Sequence, residues 1–453
     1  VAIASEGDPM SRPRQVDRVL HPDDGSGELL DRFRSSLDPE WIEEALEATG
    51  TATVRRRRLP AEQVVWLVLG MGIYRNKPIT EIVAELDLAL PGRRGPRAAS
   101  SSVTQARSRL GDEPIRWLFE RCAESWAHAS ARRHAWRGLA IYGVDGTTLR
   151  LPDSDANRTH FGVNSAGPLR GESGYPMARL VTLMALRSHL LAAARFGPYA
   201  AGEIALAKEI WPLLPDESLC IADRNFLSAA LLIGIASSGH NRHWLVRAKS
   251  DTNWKVIRSL GRGDWLVERV VDRHLRGTNP SLPERWQMRA IRYQRKGFKP
   301  QTLLTSLTDP GAYPAAEVVA LYHERWEIEL GYGEVKTVML AREETTRSRT
   351  PRGVSQELWG LALAYNLVRL EMERMAAEAG VTPDRISFKG ALMCIEHALL
   401  TLSLDSAGRI PEHLRRLRAD VAHFILPKRR QRSYPRAVKI KMSNYPRKRR
   451  VPK

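Results

Sequence analysis

The sequence predicts an α/β protein: a helical N-terminal region, a strand-and-helix core broken by a β-rich stretch, and a basic C-terminal tail. Three observations carry this. Apolar residues recur three or four apart from about residue 25 to 134, the period of helices. From residue 135 onward short apolar runs such as "GLAIYGVD" and "SLCIAD" alternate with helical stretches, which argues for strands and helices sharing one core. Between about 243 and 300 the helical period fades, and "RWQMRAIRYQ" alternates Trp286, Met288 and Ala290 with Arg285, Gln287 and Arg289. That is the pattern of a half-buried strand with a basic outer face.

Taken in order, residues 1–24 are polar and rich in Pro, Gly and Asp, and read as an arm. Residues 25–134 form the helical region, in which "RRRRLPAEQVVWLVLGMGIYRNKPITEIVAEL" gives a buried helix, a break at Pro78 and a second helix. The run Arg55–Arg58 within it reads first as a solvated charge run. "SSSVTQARSRLG" reads as a capped short helix carrying Arg107 and Arg109, as well suited to a structural role as to reading DNA. In the core that follows (135–427), "GLAIYGVDGTTLRLPD" is a strand expected to end at Asp145, and "SLCIADRNF" a buried strand ending at Asp223. A helix begins after Pro314, and "SQELWGLALAYNLVRLEMERMAAEAG" is a second, long amphipathic one. The tail, residues 428–453, is basic without an acid and is expected to be extended.

Composition narrows the function. A formal charge of +19 over 453 residues favours a polyanionic partner, and nucleic acid is the commonest. The cysteines Cys122, Cys220 and Cys394 are widely spaced, which argues against a disulfide framework or a cysteine-rich zinc site. No histidine pair has the spacing of a zinc motif. "VAIASEGDPMSRPRQVDRVL" lacks a sustained apolar run, and "VVWLVLGMGIY" is too short to span a bilayer. A soluble, cytoplasmic, DNA-associated protein with no membrane contact is expected.

The chemistry concentrates in "LYHERWEIELGYGEVK", residues 321–336. At about 100° per residue, an α-helix puts Tyr322, Arg325, Glu329 and Lys336 within a stripe roughly 60° wide. Glu324, Glu327 and Glu334 project elsewhere, so Glu327→Gln is expected to be nearly silent. Asp145 and Asp223 each end a short apolar strand, and carboxyl ends of strands are where sites collect in open α/β sheets. With Glu329 they make a set of three carboxylates able to hold two hard divalent cations about 3.5–4 Å apart for in-line attack on a phosphodiester. Arg325 and Lys336 can hold flanking phosphates, the first bidentately, the second as a point charge.

"DGTTL", "ADRNF" and above all Tyr322-x2-Arg325-x3-Glu329-x6-Lys336 resemble the IS4 family of bacterial DDE transposases, whose signature is Y-(2)-R-(3)-E-(6)-K. The resemblance extends through "PLRGESGYPMARLVTLMAL", "RFGPYAAGE" and the "MSNYPRKR" tail. It implies an RNase H-like core with a β-rich insertion between the second Asp and the Glu. It also implies Mg²⁺ at Asp145, Asp223 and Glu329, with Mn²⁺ able to substitute, and Tyr322, Arg325 and Lys336 against DNA. The partners it implies are the double-stranded DNA of terminal inverted repeats and target, with a homodimer pairing two ends. An aromatic of the insertion is expected to stack a flipped base; Trp286 is the choice among Trp254, Trp265 and Trp286, which read first as packing residues. One departure is Asn225, where the family has Gly; Asn tolerates a left-handed turn, so the loop is expected to survive. A nuclease of the same fold and a non-catalytic DNA-binding regulator are the rival functions.

Overall fold

The structure, a computed structural model, describes residues 37–52, 59–86, 99–165, 172–341, 345–401 and 422–427. The arm, the Arg55–Arg58 run and the basic tail lie outside them.

The N-terminal region is helical, as its period predicts. Asp38 opens α1 (Pro39–Ala48) by accepting from the Glu40 N–H at 3.0 Å, with Pro39 in the first turn. Helix α2 (Ala61–Ile73) is apolar on nearly every side because it is buried among other helices. Pro78 separates it from α3 (Ile79–Glu85). Helix α4 (Ser100–Leu110) begins after Ala99, without the side-chain cap the sequence suggested, and stops at Gly111, whose φ of 71° suits glycine. Then α5 (Glu113–Cys122) continues through a wide π segment, Ala123–Ala127, into α6 (His128–Arg133).

Among the described residues the core is a ten-stranded sheet. Strand β1 (Ala140–Arg150) is flanked by the long antiparallel β3 (Glu172–Ala185) and by the parallel β5 (Ser218–Ala222). The short β2 (Val163–Ser165) and β4 (Leu191–Pro198) pair with β3, and β6 (Arg242–Arg247) runs parallel to β5. The path β4-β3-β1-β5-β6, with three antiparallel-connected strands followed by two parallel ones, is the RNase H-like arrangement the resemblance implied. The β-rich insertion does not stand apart from it. Strand β10 (Gln301–Thr305) pairs antiparallel with both β6 and β9 (Arg285–Tyr293), and β8 (Asp264–Val270) and β7 (Lys255–Gly261) follow outward. The alternation in β9 holds for Trp286 and Met288 but fails at Arg289, expected outside and found buried. Its guanidinium meets Asp264 at 2.5 Å and donates to the carbonyls of Leu307 and Tyr313, because the chain after β10 folds over that end of the strand.

Helices α7 (Asp155–Phe161), α8 (Glu203–Ile210), α9 (Ala229–Ser237) and α10 (Arg273–Thr278) lie between strands in the chain. After β10 come α11 (Ala315–Tyr322), α12 (Trp326–Gly333), α13 (Pro351–Glu378) and α14 (Phe388–Thr401). Helix α13, expected to be amphipathic, is buried beyond a single face; even Asn366, Arg369 and Glu371 are buried. The reason is that it is packed on two sides. Its Trp359 ring lies 5.3 Å from Phe119 of α5 and 4.8 Å from Phe196 of β4, and a Cβ on Gly360 would strike Val68 of α2. The Asn366 amide closes two 2.8 Å bonds with the Leu191 backbone. The helical region and the sheet therefore meet through one shared helix and one continuous apolar core.

Candidate active site

The parallel pairing of β1 with β5 ends at Val144 opposite Ala222, and that of β5 with β6 at Ala222 opposite Val246. The next residues in register are Asp145, Asp223 and Arg247, so two acids and a cation stand side by side where β5 leaves the sheet. Strand β1 itself does not end at Asp145. It runs on to Arg150, because β3 keeps pairing with it and Thr147 and Thr148 favour an extended backbone. Asp223 takes the N-cap of a 3₁₀ turn, Arg224–Phe226, accepting from the Asn225 N–H at 2.5 Å. Asn225 is therefore not in the left-handed conformation expected of it; an ordinary turn accepts any residue there.

The motif segment is helical but irregular. Helix α11 passes through a 3₁₀ turn, His323–Arg325, into α12, and α12 into a π segment, Glu334–Met339, immediately after Gly333. The four glutamates nevertheless part as the stripe predicts. Glu324 is held bidentately by Arg187 at 2.8 and 2.9 Å, Glu327 by His189 at 3.0 Å, and Glu334 by Arg369. Glu329 is the one that points to the sheet acids: Arg325 bonds its carboxylate at 2.8 Å and lies 3.7 Å from Asp145. Lys336 reaches the Thr147 hydroxyl at 3.5 Å, on the same face of β1 as Asp145. Tyr322 is buried at 8 % exposure behind Arg325, with burial raising its phenol pKa. Tyr332 seats α12 on the sheet, donating to the Asp145 carbonyl at 2.6 Å and meeting the Thr182 hydroxyl at 2.9 Å.

Asp145 is electrostatically unusual. Burial pushes its carboxyl up to about 6; the Gly146 N–H and Arg325 oppose the rise, and Asp223 and Glu203 add to it. A site that keeps a carboxylate costly to ionise attracts positive charge, and Arg325 supplies one. Among the described residues no three His, Cys, Asp or Glu side chains are drawn together tightly enough to hold a metal ion. The donor set of Asp145, Asp223 and Glu329 is all carboxylate oxygen, the chemistry a hard divalent cation takes, and a cation already bridges two of its members.

The remaining sequence candidates divide. Arg107 is only 12 % exposed and is engaged by the fold, bonding Ser348 just before α13 and Gln356 and Glu357 in its first turns. Arg109, on the same helix, is exposed. Trp286 cannot stack a flipped base as it stands. It faces inward at 8 % exposure with its ring 5.2 Å from Trp244, the position its own alternation with Arg285 and Gln287 required. An exposed aromatic stands in the motif segment: Trp326, 50 % exposed and next to Arg325 in the chain. The sequence reading passed over it and Arg247; the register of β6 against β5 is the signal for Arg247, and its place beside the motif Arg that for Trp326. Among the described residues no helix is long and apolar enough to cross a membrane.

Comparison with known proteins shows the family. The N-terminal family of the insertion element 4 transposase matches residues 28–120, and the transposase DDE domain family matches residues 136–367. Transposase InsG for insertion sequence element IS4, from Escherichia coli (strain K12), is 40% identical over 415 residues, covering 90% of this chain and 92% of its own. Putative transposase InsZ of the same organism is 39% identical over 228 residues, 50% of this chain and 73% of its own. Among solved structures, a cryo-EM structure of the piggyBac transposase synaptic complex with hairpin DNA aligns over 89% of this chain and 86% of its own. Its TM-score is 0.44 and its identity 12%.

Proposed function

The chain belongs to the IS4 family of DDE transposases, and from that premise we propose that it carries out cut-and-paste transposition with Asp145, Asp223 and Glu329 as ligands of two Mg²⁺ ions, Mn²⁺ substituting. The observation that supports the assignment is the placement of three carboxylates on separate elements: Asp145 on β1, Asp223 next to it in register after β5, and Glu329 on α12, joined to Asp145 by Arg325. When bound, divalent ions supply water activation at neutral pH and neutralise charge on the phosphodiester.

The residues of the chain do the rest. Divalent ions on Asp145 and Glu329 would take over the charge pairing that Arg325 now supplies and leave its guanidinium to take a DNA phosphate bidentately. Lys336, beside Thr147, and Arg247, beside Asp223, are point and planar charges for neighbouring phosphates. Trp326 offers an exposed ring to an unstacked base. Water attacks the phosphodiester at the element's end, forming one P–O bond as the bond to the 3′ oxygen breaks. The freed 3′-OH attacks a phosphodiester of the opposite strand, forming a hairpin as the bond to the 3′ oxygen of the flanking DNA breaks; water reopens the hairpin, and the regenerated 3′-OH joins target DNA by the same exchange, displacing a 3′ oxygen of the target strand. In this reading the helical region (25–134) binds the terminal inverted repeats, Arg109 among its exposed cations, and 135–427 is the catalytic domain. The tail adds affinity that does not depend on sequence, two copies pair two ends, and the protein works at the bacterial nucleoid.

The test is a duplex carrying one element end, offered to wild type and to Glu329→Gln. The proposal expects equal binding and no cleavage by the variant. Equal loss of both would make Glu329 a structural residue.

A further inference from the structure

We propose that the buried cluster of His189, Glu327, Glu334, Tyr365 and Arg369 sets the roll of the motif helix and thereby aims Glu329 at Asp145, with His189 and Arg369 as positioning residues. The inference rests on the site assignment made above.

Helix α12 has little of its own to fix its rotation. It is eight residues long, contains Gly331 and Gly333, and is entered through a 3₁₀ turn and left through a π segment. A rotation of one residue's worth, about 100°, would carry Glu329 off the sheet acids. On its sheet side Tyr332 and the close approach of Gly331 to Met184 hold it down. On the far side the restraint is ionic. Glu327 and Glu334 bracket Glu329 along the chain, and Glu327 lies about 160° around the helix from it. The His189 Nε2 meets Glu327 at 3.0 Å, and Arg369 donates to the His189 Nδ1, which assigns the ring proton to Nε2 and makes Nε2 the donor to Glu327. Arg369 also donates to both oxygens of Glu334, and the Tyr365 hydroxyl donates to that carboxylate at 2.8 Å. One buried guanidinium and one imidazole thus grip the helical segment on both sides of Glu329.

Two further features argue against simple stabilisation. His189 sits in the turn between β3 and β4 at φ 62°, a left-handed conformation unfavourable for a side chain like this one; the turn would take Gly more easily. Arg369 and His189 are 1% and 2% exposed, and a buried ionic cluster is weak evidence for stability, since well-packed apolar residues do as well. What such a cluster adds is a single permitted geometry.

The experiment uses the full chain with His189→Ala and His189→Gln, whose amide can replace both ring contacts. Four quantities are read: melting temperature, binding of an end duplex, Mn²⁺ binding by calorimetry, and cleavage against Mn²⁺ concentration. Positioning predicts that His189→Ala binds the duplex as wild type does. It should need several-fold more Mn²⁺ in both titrations and cleave at least tenfold more slowly at saturation, with His189→Gln recovering most of each loss. A folded His189→Ala with unchanged Mn²⁺ titrations and rate overturns the proposal, as does His189→Gln behaving no better than Ala. If His189→Ala does not fold, Glu327→Ala is read the same way. Glu329→Gln runs in parallel: if it cleaves normally the site assignment itself falls, whereas a dead Glu329→Gln beside normal His189 variants removes only the positioning role.

Discussion

Replacing Asp145 by Asn should stabilise the metal-free protein, and only above a definite pH. Burial raises the folded-state pKa of Asp145 from the ordinary 3.8 to about 6. In the window between those values the unfolded chain has released the proton while the folded one still holds it. The folded state binds more protons there, so its stability falls as pH rises through the window and the full penalty is present above it. At about 1.4 kcal/mol per pKa unit the penalty is up to about 3 kcal/mol. Asn keeps the oxygen that accepts from the Gly146 N–H, at 2.8 Å in the native protein, and escapes the ionisation. Urea unfolding in EDTA should therefore show Asp145→Asn more stable than wild type by up to about 3 kcal/mol at pH 7.5 and nearly equal to it at pH 4. Adding Mn²⁺ should stabilise wild type, which binds it, and do less for the variant. A variant less stable than wild type at pH 7.5, or a gap that does not change with pH, would refute the claim that Asp145 is held in a site that disfavours its own charge.

The two tryptophans should separate cleanly. Trp286→Ala should cost about 3–5 kcal/mol of stability by emptying its place beside Trp244. Trp326→Ala should change stability by no more than about 0.5 kcal/mol and lower cleavage of an end duplex, and the reverse pattern would return the stacking role to the insertion. Asp264→Asn should cost about 3–5 kcal/mol because it leaves the guanidinium of Arg289 buried without its carboxylate; thermal unfolding measures it, and a loss below about 1 kcal/mol would mean that the pair is solvated. Deleting residues 428–453 should flatten the dependence of log affinity on log salt concentration for DNA, and an unchanged slope would show that the tail touches no phosphate.

Much of the site was legible because it depends on local spacing. The 3.6-residue period separated Glu329 from Glu324, Glu327 and Glu334, and the apolar runs before Asp145 and Asp223 pointed to strands leading into both. What the sequence concealed depends on partners far away in the chain. Strand β1 continues beyond Asp145 because β3 is there to pair with it, and Arg289 is buried because Asp264 and the chain after β10 converge on it. Glu327 looked idle on a helical projection, yet His189 contacts it from a turn 138 residues away, so Glu327→Gln is no longer expected to be silent. The helix of Arg107 stayed open between a structural role and reading DNA because nothing local betrays that Gln356 and Glu357 lie against that residue. The irregular turns around α12 were foreshadowed by Gly331 and Gly333, which lower helix propensity, but whether they bend, widen or merely weaken a helix is decided by what it packs on.

The most direct test of the account is to incubate the purified protein with the genomic DNA that flanks its gene and Mg²⁺, mapping every cut to the nucleotide, with Glu329→Gln alongside. The account predicts cuts at a matched pair of inverted repeats that vanish in the variant while binding persists. Cuts that survive in Glu329→Gln, cuts scattered without regard to the repeats, or binding by wild type with no cutting at all would each contradict it.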